Sequence, residues 1–239
     1  MKNLTKLTFA LFAFMLLLTA CGKDDDNSLT KDKKLTKVIY RQNVNSTKVL
    51  NYKYDSDGRL IQIDLDDTTM PFIKFNYINK DQIGRIEFTS NSMSFDYTYT
   101  ANSPLPNSIY IEDGSHHATA DVTFIDGNLN FKTVDIDRTL TAVNTTDRSF
   151  KSIIDGVSSF KFNFDHTKKN GLGNQKALNI PIALTGNIET LYLLQLNTQV
   201  INSIQLSNGN TQTLELEFEY DTEGYITKTK DGKIEYFYQ

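Results

Sequence analysis

The feature that most constrains the fold of this chain is an alternation of apolar and polar residues with a period of two. In the clearest segment, four apolar residues alternate with three glutamates over residues 214–220, and the same pattern recurs at residues 73–77, 94–99 and 160–164. Successive side chains of a strand point to opposite faces, so each segment has one apolar and one polar face. The pattern predicts half-buried strands of antiparallel sheets and not the continuous apolar strands of a parallel sheet.

Turn-forming sequences separate these strands at short intervals. Asp-Gly and Asn-Gly pairs readily adopt the positive φ that tight hairpins need. The turn signals end at Gly58, Gly114, Gly127, Gly209, Gly224 and Gly232. We therefore predict an all-β fold of about fourteen strands in one meander, which must curl to cover its apolar face. The expected architecture is a single strongly curved antiparallel sheet or an incomplete β-barrel.

A weak internal repeat underlies the hairpins. The unit Tyr-Asp-x-x-Gly occurs at residues 54–58 and again at residues 220–224, with degenerate copies near Tyr77 and Tyr99. In such a unit the aromatic ring packs, the aspartate bonds to turn amides and the glycine takes the left-handed conformation. The repeat therefore predicts four structural turn residues, Asp55, Gly58, Asp221 and Gly224.

One stretch departs from the period of two. Residues 188–196 (IETLYLLQL) contain strong helix formers, and Asn187 or Thr185 is a candidate N-cap. We predict one short helix near residues 187–196, plugging one end of the sheet, and a polar loop over residues 165–180.

The N-terminus resembles a secretory signal peptide. Lys2 and Lys6 precede an apolar run over residues 7–18, which is followed by small residues. The run is too short to span a bilayer core, since a spanning helix takes roughly 20 apolar residues. We predict a signal peptide at residues 1–20, a lipidated acidic tether at residues 21–34 and a single antiparallel β domain at residues 35–239.

The sequence Leu-Thr-Ala-Cys at residues 18–21 resembles the lipobox of bacterial lipoproteins. The resemblance implies that Cys21 is acylated, with chains such as palmitate, and becomes the mature N-terminus. Several acyl chains hold a protein firmly on a membrane. Since Cys21 is the single cysteine, the chain has neither a disulfide framework nor a thiolate zinc site.

Two further short motifs bear on export. Lys23, Asp24 and Asp25 resemble the export signal of Bacteroidetes surface lipoproteins, in which a lysine and acidic residues follow the lipidated cysteine. That resemblance implies display on the cell surface, with the periplasmic face of the outer membrane as the alternative. Asp67-Thr68-Thr69 resembles the O-glycosylation signal of Bacteroidetes exported proteins, so Thr68 is a candidate glycosylation site.

Charge and motif content argue against several function classes. The chain has 25 basic and 29 acidic residues, a net charge of −4, and removing residues 1–20 makes it −6. This balance gives no support for nucleic-acid binding, which calls for a basic face. His116 and His117 are adjacent and His166 is remote, so we expect exposed loop histidines and no metal site. We expect no cofactor, no catalytic residues, and a solvated acidic cluster at residues 64–67.

The lipobox, the acidic tether, the Tyr-Asp-x-x-Gly hairpins and the late helix together resemble a Bacteroidetes lipoprotein family, catalogued as a domain of unknown function with a porin-like fold. The resemblance covers nearly all of residues 35–239. It implies a curved antiparallel sheet or incomplete barrel that is water-soluble, and it supplies no activity.

Three functions remain open at this stage. The first is an outer-membrane-anchored, surface-exposed lipoprotein, touching the membrane through its lipid and acting as a non-enzymatic binding domain. Its partner would be an extracellular glycan or peptide, or an outer-membrane protein. The second is a surface hydrolase, favoured if carboxylates and histidines cluster at one rim. The third is a structural subunit of an outer-membrane complex, favoured by an exposed apolar patch of several hundred Å².

Overall fold

The computed structural model describes residues 32–43, 46–66, 71–89, 92–114, 116–133, 136–186 and 199–239. Within these ranges, seventeen strands form one antiparallel sheet. In chain order they are β1 Leu35–Asn43, β2 Ser46–Tyr54, β3 Leu60–Leu65, β4 Pro71–Asn79, β5 Gln82–Phe88, β6 Met93–Thr98, β7 Ser108–Asp113, β8 His116–Ile125, β9 Asn128–Lys132, β10 Asp137–Thr141, β11 Ser152–Asp155, β12 Ser158–Asp165, β13 Val200–Asn208, β14 Asn210–Glu215, β15 Phe218–Tyr220, β16 Ile226–Thr229 and β17 Ile234–Tyr238. A helix, α1 Lys176–Thr185, lies between β12 and β13.

The strand order follows the chain. Each strand from β1 to β14 pairs with the next, β15 to β17 do the same, and β17 returns to pair with β1. β14 and β15 are consecutive parts of one extended segment, in which β14 pairs with β13 and β15 pairs with β16. The sheet is strongly curved and is not closed into a barrel. The predicted all-β fold, a strongly curved antiparallel meander, is confirmed.

The two ends of the curled sheet differ in what they carry. Lys34 and Gln239 each donate a backbone N–H to the other's carbonyl at 3.0 Å, so β1 begins where β17 ends. We call this the entry end. Tyr40 lies opposite Ile234 at the start of β17, which places the β16–β17 turn at the other end. We call that the far end. The antiparallel alternation also places the β13–β14 turn, at Gly209, at the far end.

The apolar faces of the strands enclose helix α1. Leu178, Ile180, Ile182 and Leu184 are fully buried in the same core as strand residues such as Ile63. Residues 178–184 of the helix are buried on all sides, the pattern of a helix surrounded by core. At the level of α1, the curved sheet therefore surrounds a helix and not a cavity.

The position of α1 corrects part of the sequence prediction. Residues 176–180, predicted as polar loop, form the first half of the helix. Burial on all sides leaves no amphipathic period to detect, and Pro181 inside the helix removes an N–H donor and opposes helix prediction. The predicted helix near residues 187–196 lies outside the described residues. In the described ranges, no helix combines the length and hydropathy needed to cross a bilayer.

Side chains fix both ends of α1 to the sheet. Before its N-terminus, the side chain of Gln175 accepts from Leu60 N and donates to Gly58 O, at 3.0 Å each. Beyond its C-terminus, Arg138 Nη1 donates to three carbonyl oxygens, those of Ala183, Leu184 and Gly186, at 3.3, 2.9 and 2.7 Å. The helix is therefore held by the β2–β3 turn at one end and by β10 at the other.

Candidate functional site

The extended segment formed by β14 and β15 changes its pairing partner at Leu216 and Glu217. On one side β14 pairs with β13, and on the other β15 pairs with β16. Two backbone hydrogen bonds flank the change of partner: Leu216 N donates to Asn202 O at 2.8 Å, and Lys230 N donates to Glu217 O at 2.7 Å. Beyond this point β14 continues toward the far end with every residue exposed.

A groove of about 390 Å³ lies at this change of partner. Its apolar part includes Leu214, whose side chain is 52% exposed, and the buried Ile234. We call it the seam groove. It is lined by Tyr40, Leu214, Glu215, Leu216, Glu217, Thr229, Lys230, Asp231, Lys233 and Ile234. The groove therefore combines an apolar surface with an edge of β14 that pairs with no described strand.

The floor of the seam groove is the β16–β17 turn, and hydrogen bonds fix its shape. Thr229 Oγ1 donates to Asp231 Oδ1 at 2.7 Å and accepts from Ile234 N at 3.0 Å. Lys233 N also donates to Asp231 Oδ1, at 3.0 Å. The Thr229 hydroxyl, and after it Lys233, lower the pKa of Asp231 against the opposing effect of burial. The floor is therefore formed before any ligand arrives.

The rim of the seam groove carries three carboxylates and two ammonium groups. Lys230 Nζ pairs with Glu217 and Lys233 Nζ pairs with Asp231, each at 3.1 Å. Glu215 makes no ion pair with any described residue. The rim therefore has one acidic group available for a basic partner.

A second groove, of about 430 Å³, borders a charged cluster on the sheet face opposite the core. Arg85 pairs with three carboxylates across β5, β6 and β7: Glu87 at 3.1 Å, Asp96 at 2.7 Å and Glu112 at 3.2 Å. Burial alone would lower the pKa of Arg85, and hydrogen bonds to Asp96 and Glu112 raise it instead. One guanidinium thus engages all three carboxylates, which makes the cluster a cross-strand link between three strands.

Two of the three histidines lie beside this cluster: His117 is opposite Glu112 in the β7–β8 ladder, and His116 is opposite Asp113. His116 and His117 are exposed at the start of β8, at the far end, so they are strand residues and not loop residues. His117 stacks on Tyr110 with ring centroids 5.9 Å apart. His166 is exposed in the turn after β12, at the entry end. Among described residues, no group of three or more His, Cys, Asp or Glu is arranged to hold a metal.

Exposed apolar side chains elsewhere in the described chain are dispersed. Val157, Ile125 and Ile78 are exposed by 88, 60 and 58%. Val157 lies in the β11–β12 turn at the far end, whereas Ile125 and Ile78 lie toward the entry end of β8 and β4. This distribution gives little support to the structural-subunit hypothesis, which needs one large patch.

The predicted turn residues have equivalent surroundings in both repeats. In each turn the aspartate Oδ1 accepts from the backbone N–H groups two and four residues later, at 3.0 and 2.9 Å at Asp55 and at 2.9 Å twice at Asp221. Gly58 and Gly224 have φ of +79° and +86°. Both turns lie at the entry end, away from the seam groove, so the repeat is part of the scaffold.

The other predicted site residues lie outside the described residues: Cys21, Lys23, Asp24, Asp25 and Thr68. The acidic cluster at residues 64–67 is not simply solvated charge, because Asp64 is buried and pairs with Lys53 Nζ at 2.6 Å. Asp66 Oδ1 accepts from Val49 N at 2.8 Å.

Sequence reasoning missed the seam groove and Arg138. The alternation over residues 214–220 continues without a break through this point, because a change of pairing partner does not alter which face a side chain occupies. Composition offered one usable signal, since residues 210–214 contain no charged residue on a strand that is exposed throughout.

No protein-family model matches the chain, and no curated protein sequence matches it either. Among solved structures, a porin-like protein from Bacteroides vulgatus is similar, with a TM-score of 0.53 and 13% identity over 87% of this chain and 99% of that chain. A porin-like protein from Bacteroides uniformis has a TM-score of 0.52 and 11% identity, over 87% of this chain and 97% of that chain. At these identities the likeness shows the fold alone: the porin-like fold is confirmed, and membership of the lipoprotein family stays a prediction.

Proposed function

We propose that this chain is an outer-membrane-anchored lipoprotein, displayed on the cell surface, whose β domain is a non-enzymatic binding module. Its ligand is an extracellular polypeptide or an envelope partner, and it is bound at the seam groove. The lipobox at residues 18–21 and the residues Lys23, Asp24 and Asp25 support the anchor and its orientation.

The observation that carries the binding role is the seam groove itself. Apolar surface and an exposed strand that pairs with described residues on one side only meet there. Exposed edges attract further strands, and soluble proteins normally protect them. The groove is also at the far end, opposite the end where Lys34 enters the sheet.

The anchor is tested by Cys21→Ala. We expect the variant to leave the membrane fraction and appear in the soluble fraction, because the thiol that receives lipid is gone. Immunoblotting of fractionated cells measures this. A Cys21→Ala protein that still sediments with membranes contradicts the anchor.

The binding site is tested by photo-crosslinking in intact cells. A photo-reactive amino acid in place of Leu214 should give a discrete higher-mass adduct, because this side chain lies in the seam groove. The matched control carries the same amino acid in place of Ile78, which is equally exposed at the opposite end. Equal adducts at both positions, or none at position 214, contradict binding at the seam groove.

A further inference from the structure

We propose that β14 is a strand-addition site, which pairs through its free edge with an extended segment of a partner polypeptide whose alternate residues are apolar and basic. This proposal rests on the proposed function, since it names the ligand class of the seam groove.

The backbone of β14 presents hydrogen-bonding groups toward the groove. Leu216 donates its N–H to a carbonyl of β13, and the carbonyl of Glu217 accepts from the turn after β16. Backbone groups of successive strand residues point to opposite edges. Those of Thr211, Thr213 and Glu215 therefore point away from β13, and no backbone hydrogen bond from a described residue reaches them.

This edge is long enough and regular enough to pair. Residues 211–215 span four steps of a strand, about 14 Å, and the β13–β14 ladder has no register shift along them. Edge strands that avoid pairing usually carry lysine, proline or a bulge. Residues 210–215 contain neither lysine nor proline. The edge therefore lacks the usual protections against an added strand.

The space beside β14 favours a narrow partner. In the strand order, β16 and β17 separate β14 from β1, and the turn that joins them ends at the level of Arg41, whose N–H bonds to Lys233 O at 2.7 Å. β1 continues past this turn to Asn43. Neighbouring strands are about 4.8 Å apart, so the gap is roughly 10 Å wide. This width is two strand positions, so an extended segment fits, whereas a second copy of this chain would bring β14, β13 and β12 into the same space.

The side chains of the groove select the partner's sequence. Leu214 and Ile234 offer apolar contact on the core face. On the opposite face, Glu215 has no ion pair with a described residue, while both rim lysines are already paired. Since an added strand also alternates between faces, its apolar residues meet Leu214 and its basic residue meets Glu215.

The probe is an acetylated and amidated eight-residue peptide that alternates valine and lysine, added to the full chain in solution. Amide hydrogen exchange is followed by NMR. We expect exchange at Thr211, Thr213 and Glu215 to slow on the order of tenfold or more at saturating peptide. Exchange at Gln212 and Leu214 should change little, because their N–H groups already bond to β13. This odd-even pattern distinguishes strand addition from general coverage of the groove.

Two variants at one position separate backbone pairing from side-chain contact. Thr213→Pro removes an N–H that points to the free edge and leaves the β13 ladder intact, so it should weaken peptide binding at least tenfold. Thr213→Ala retains the N–H and should bind within about twofold of the original chain. If Thr213→Pro fails to fold, Glu215→Lys replaces it as the test. This variant should bind the valine-lysine peptide more weakly and a valine-glutamate peptide more tightly than the original chain does.

Several outcomes overturn the proposal. These are uniform protection along β14, no protection, or unchanged binding to a peptide whose alternate amides are N-methylated. A dimer that protects the odd residues without peptide makes a second copy the occupant and also overturns it. The peptide experiment needs no membrane, so it fails independently of the Cys21→Ala fractionation. If position 214 gives a crosslinked adduct but the peptide does not protect the odd-numbered amides of β14, binding at the seam groove is retained and strand addition is rejected.

Discussion

Gly224 shows how a single residue fixes a turn in this fold. Its φ of +86° lies in the left-handed region that other L residues rarely adopt. A Cβ added there would meet no heavy atom within 4 Å. At Gly58, in the equivalent turn, the Cβ would come 2.8 Å from Lys34 Nζ, at the end of a flexible side chain. A substitution at Gly224 therefore tests the backbone conformation without adding a steric clash.

Gly224→Val should lower the free energy of unfolding by about 1–2 kcal/mol, because valine at positive φ is strained. Urea denaturation of the purified chain measures the change. Thr222→Val, exposed in the same turn, is the matched control and should change stability by less than about 0.5 kcal/mol. If the two variants unfold at the same urea concentration, the conformational role of Gly224 is refuted.

Turn aspartates should make the fold sensitive to acid. Hydrogen bonds from Thr167 and Thr229 lower the pKa of Asp165 and Asp231. At Asp55 and Asp221, burial alone would raise the pKa, but the hydrogen bonds they accept outweigh it and the pKa is lowered.

A pKa that is lower in the folded state means that the stabilisation is present above the unfolded value, about 3.9, and is lost as the pH falls through the folded values. The melting temperature should therefore hold between about pH 7 and 5 and fall below about pH 4. Calorimetric scans between pH 7 and pH 2 measure the melting temperature. Asp221→Asn should flatten the decline, and a melting temperature independent of pH down to pH 2 would rule out this role of the aspartates.

At the scale of elements, the fold depends on how α1 is joined to the sheet. Arg138 is buried, donates to three carbonyls at the C-terminus of the helix and pairs with Asp155 at 2.6 Å. The helix C-terminus carries unsatisfied carbonyls and partial negative charge, which a guanidinium satisfies through its fork of donors. One strand residue of β10 therefore holds the end of an interior helix.

Arg138→Met should cost about 2–4 kcal/mol of folding free energy, because it leaves the buried helix carbonyls without donors. Arg138→Lys should recover only part of this, since an ammonium cannot bond in the same fork. Chemical denaturation monitored by circular dichroism measures both. Arg41→Met removes a more exposed arginine that pairs with Glu235 and should cost less than about 1 kcal/mol. Equal losses for Arg138→Met and Arg41→Met would refute the role of Arg138 as a cap.

The elements also show where the sequence is informative. The alternating segments 73–77 and 160–164 fall within β4 and β12 because a strand with one buried face must alternate. The same rule says nothing about α1, which is buried on every side and contains Pro181 and the fully buried Asn179. Arg138, in the sequence Asp-Arg-Thr-Leu-Thr, resembles an ordinary polar strand residue, since nothing local marks its distant partners.

The seam groove was beyond prediction for a related reason. Residues 214–220 form one alternating run, yet the first part pairs with β13 and the last part with β16. The turns at Gly209 and Gly224 join β14 to β13 and β15 to β16, but neither turn indicates where along residues 214–220 one pairing ends and the other begins. The groove therefore depends on which strands pair, whereas the strands and turns around it follow from local sequence patterns.

At the scale of the whole molecule, the two ends of the sheet carry different features. The chain enters beside its C-terminal residue at the entry end, and the seam groove lies at the far end. The fourteen residues from Cys21 to Lys34 can reach at most about 45 Å when fully extended. A lipid-anchored domain can bind an extracellular partner only if it is displayed on the outer face of the outer membrane. We expect the residues after Cys21 to decide on which face the domain is displayed.

Replacing Lys23, Asp24 and Asp25 together by alanine should keep the protein in the membrane fraction but remove it from the cell surface, because Cys21 still receives lipid while the charged export signal is lost. Protease added to intact cells, followed by immunoblotting, should digest the original chain and spare the variant; after lysis it should digest both. Asn27→Ala with Ser28→Ala, in the same tether but outside the motif, should be digested like the original chain. If the triple variant is also digested on intact cells, the three charges do not direct surface display. If the original chain is protected, the domain and its groove face the periplasm, and the polypeptide added to β14 must then come from that compartment.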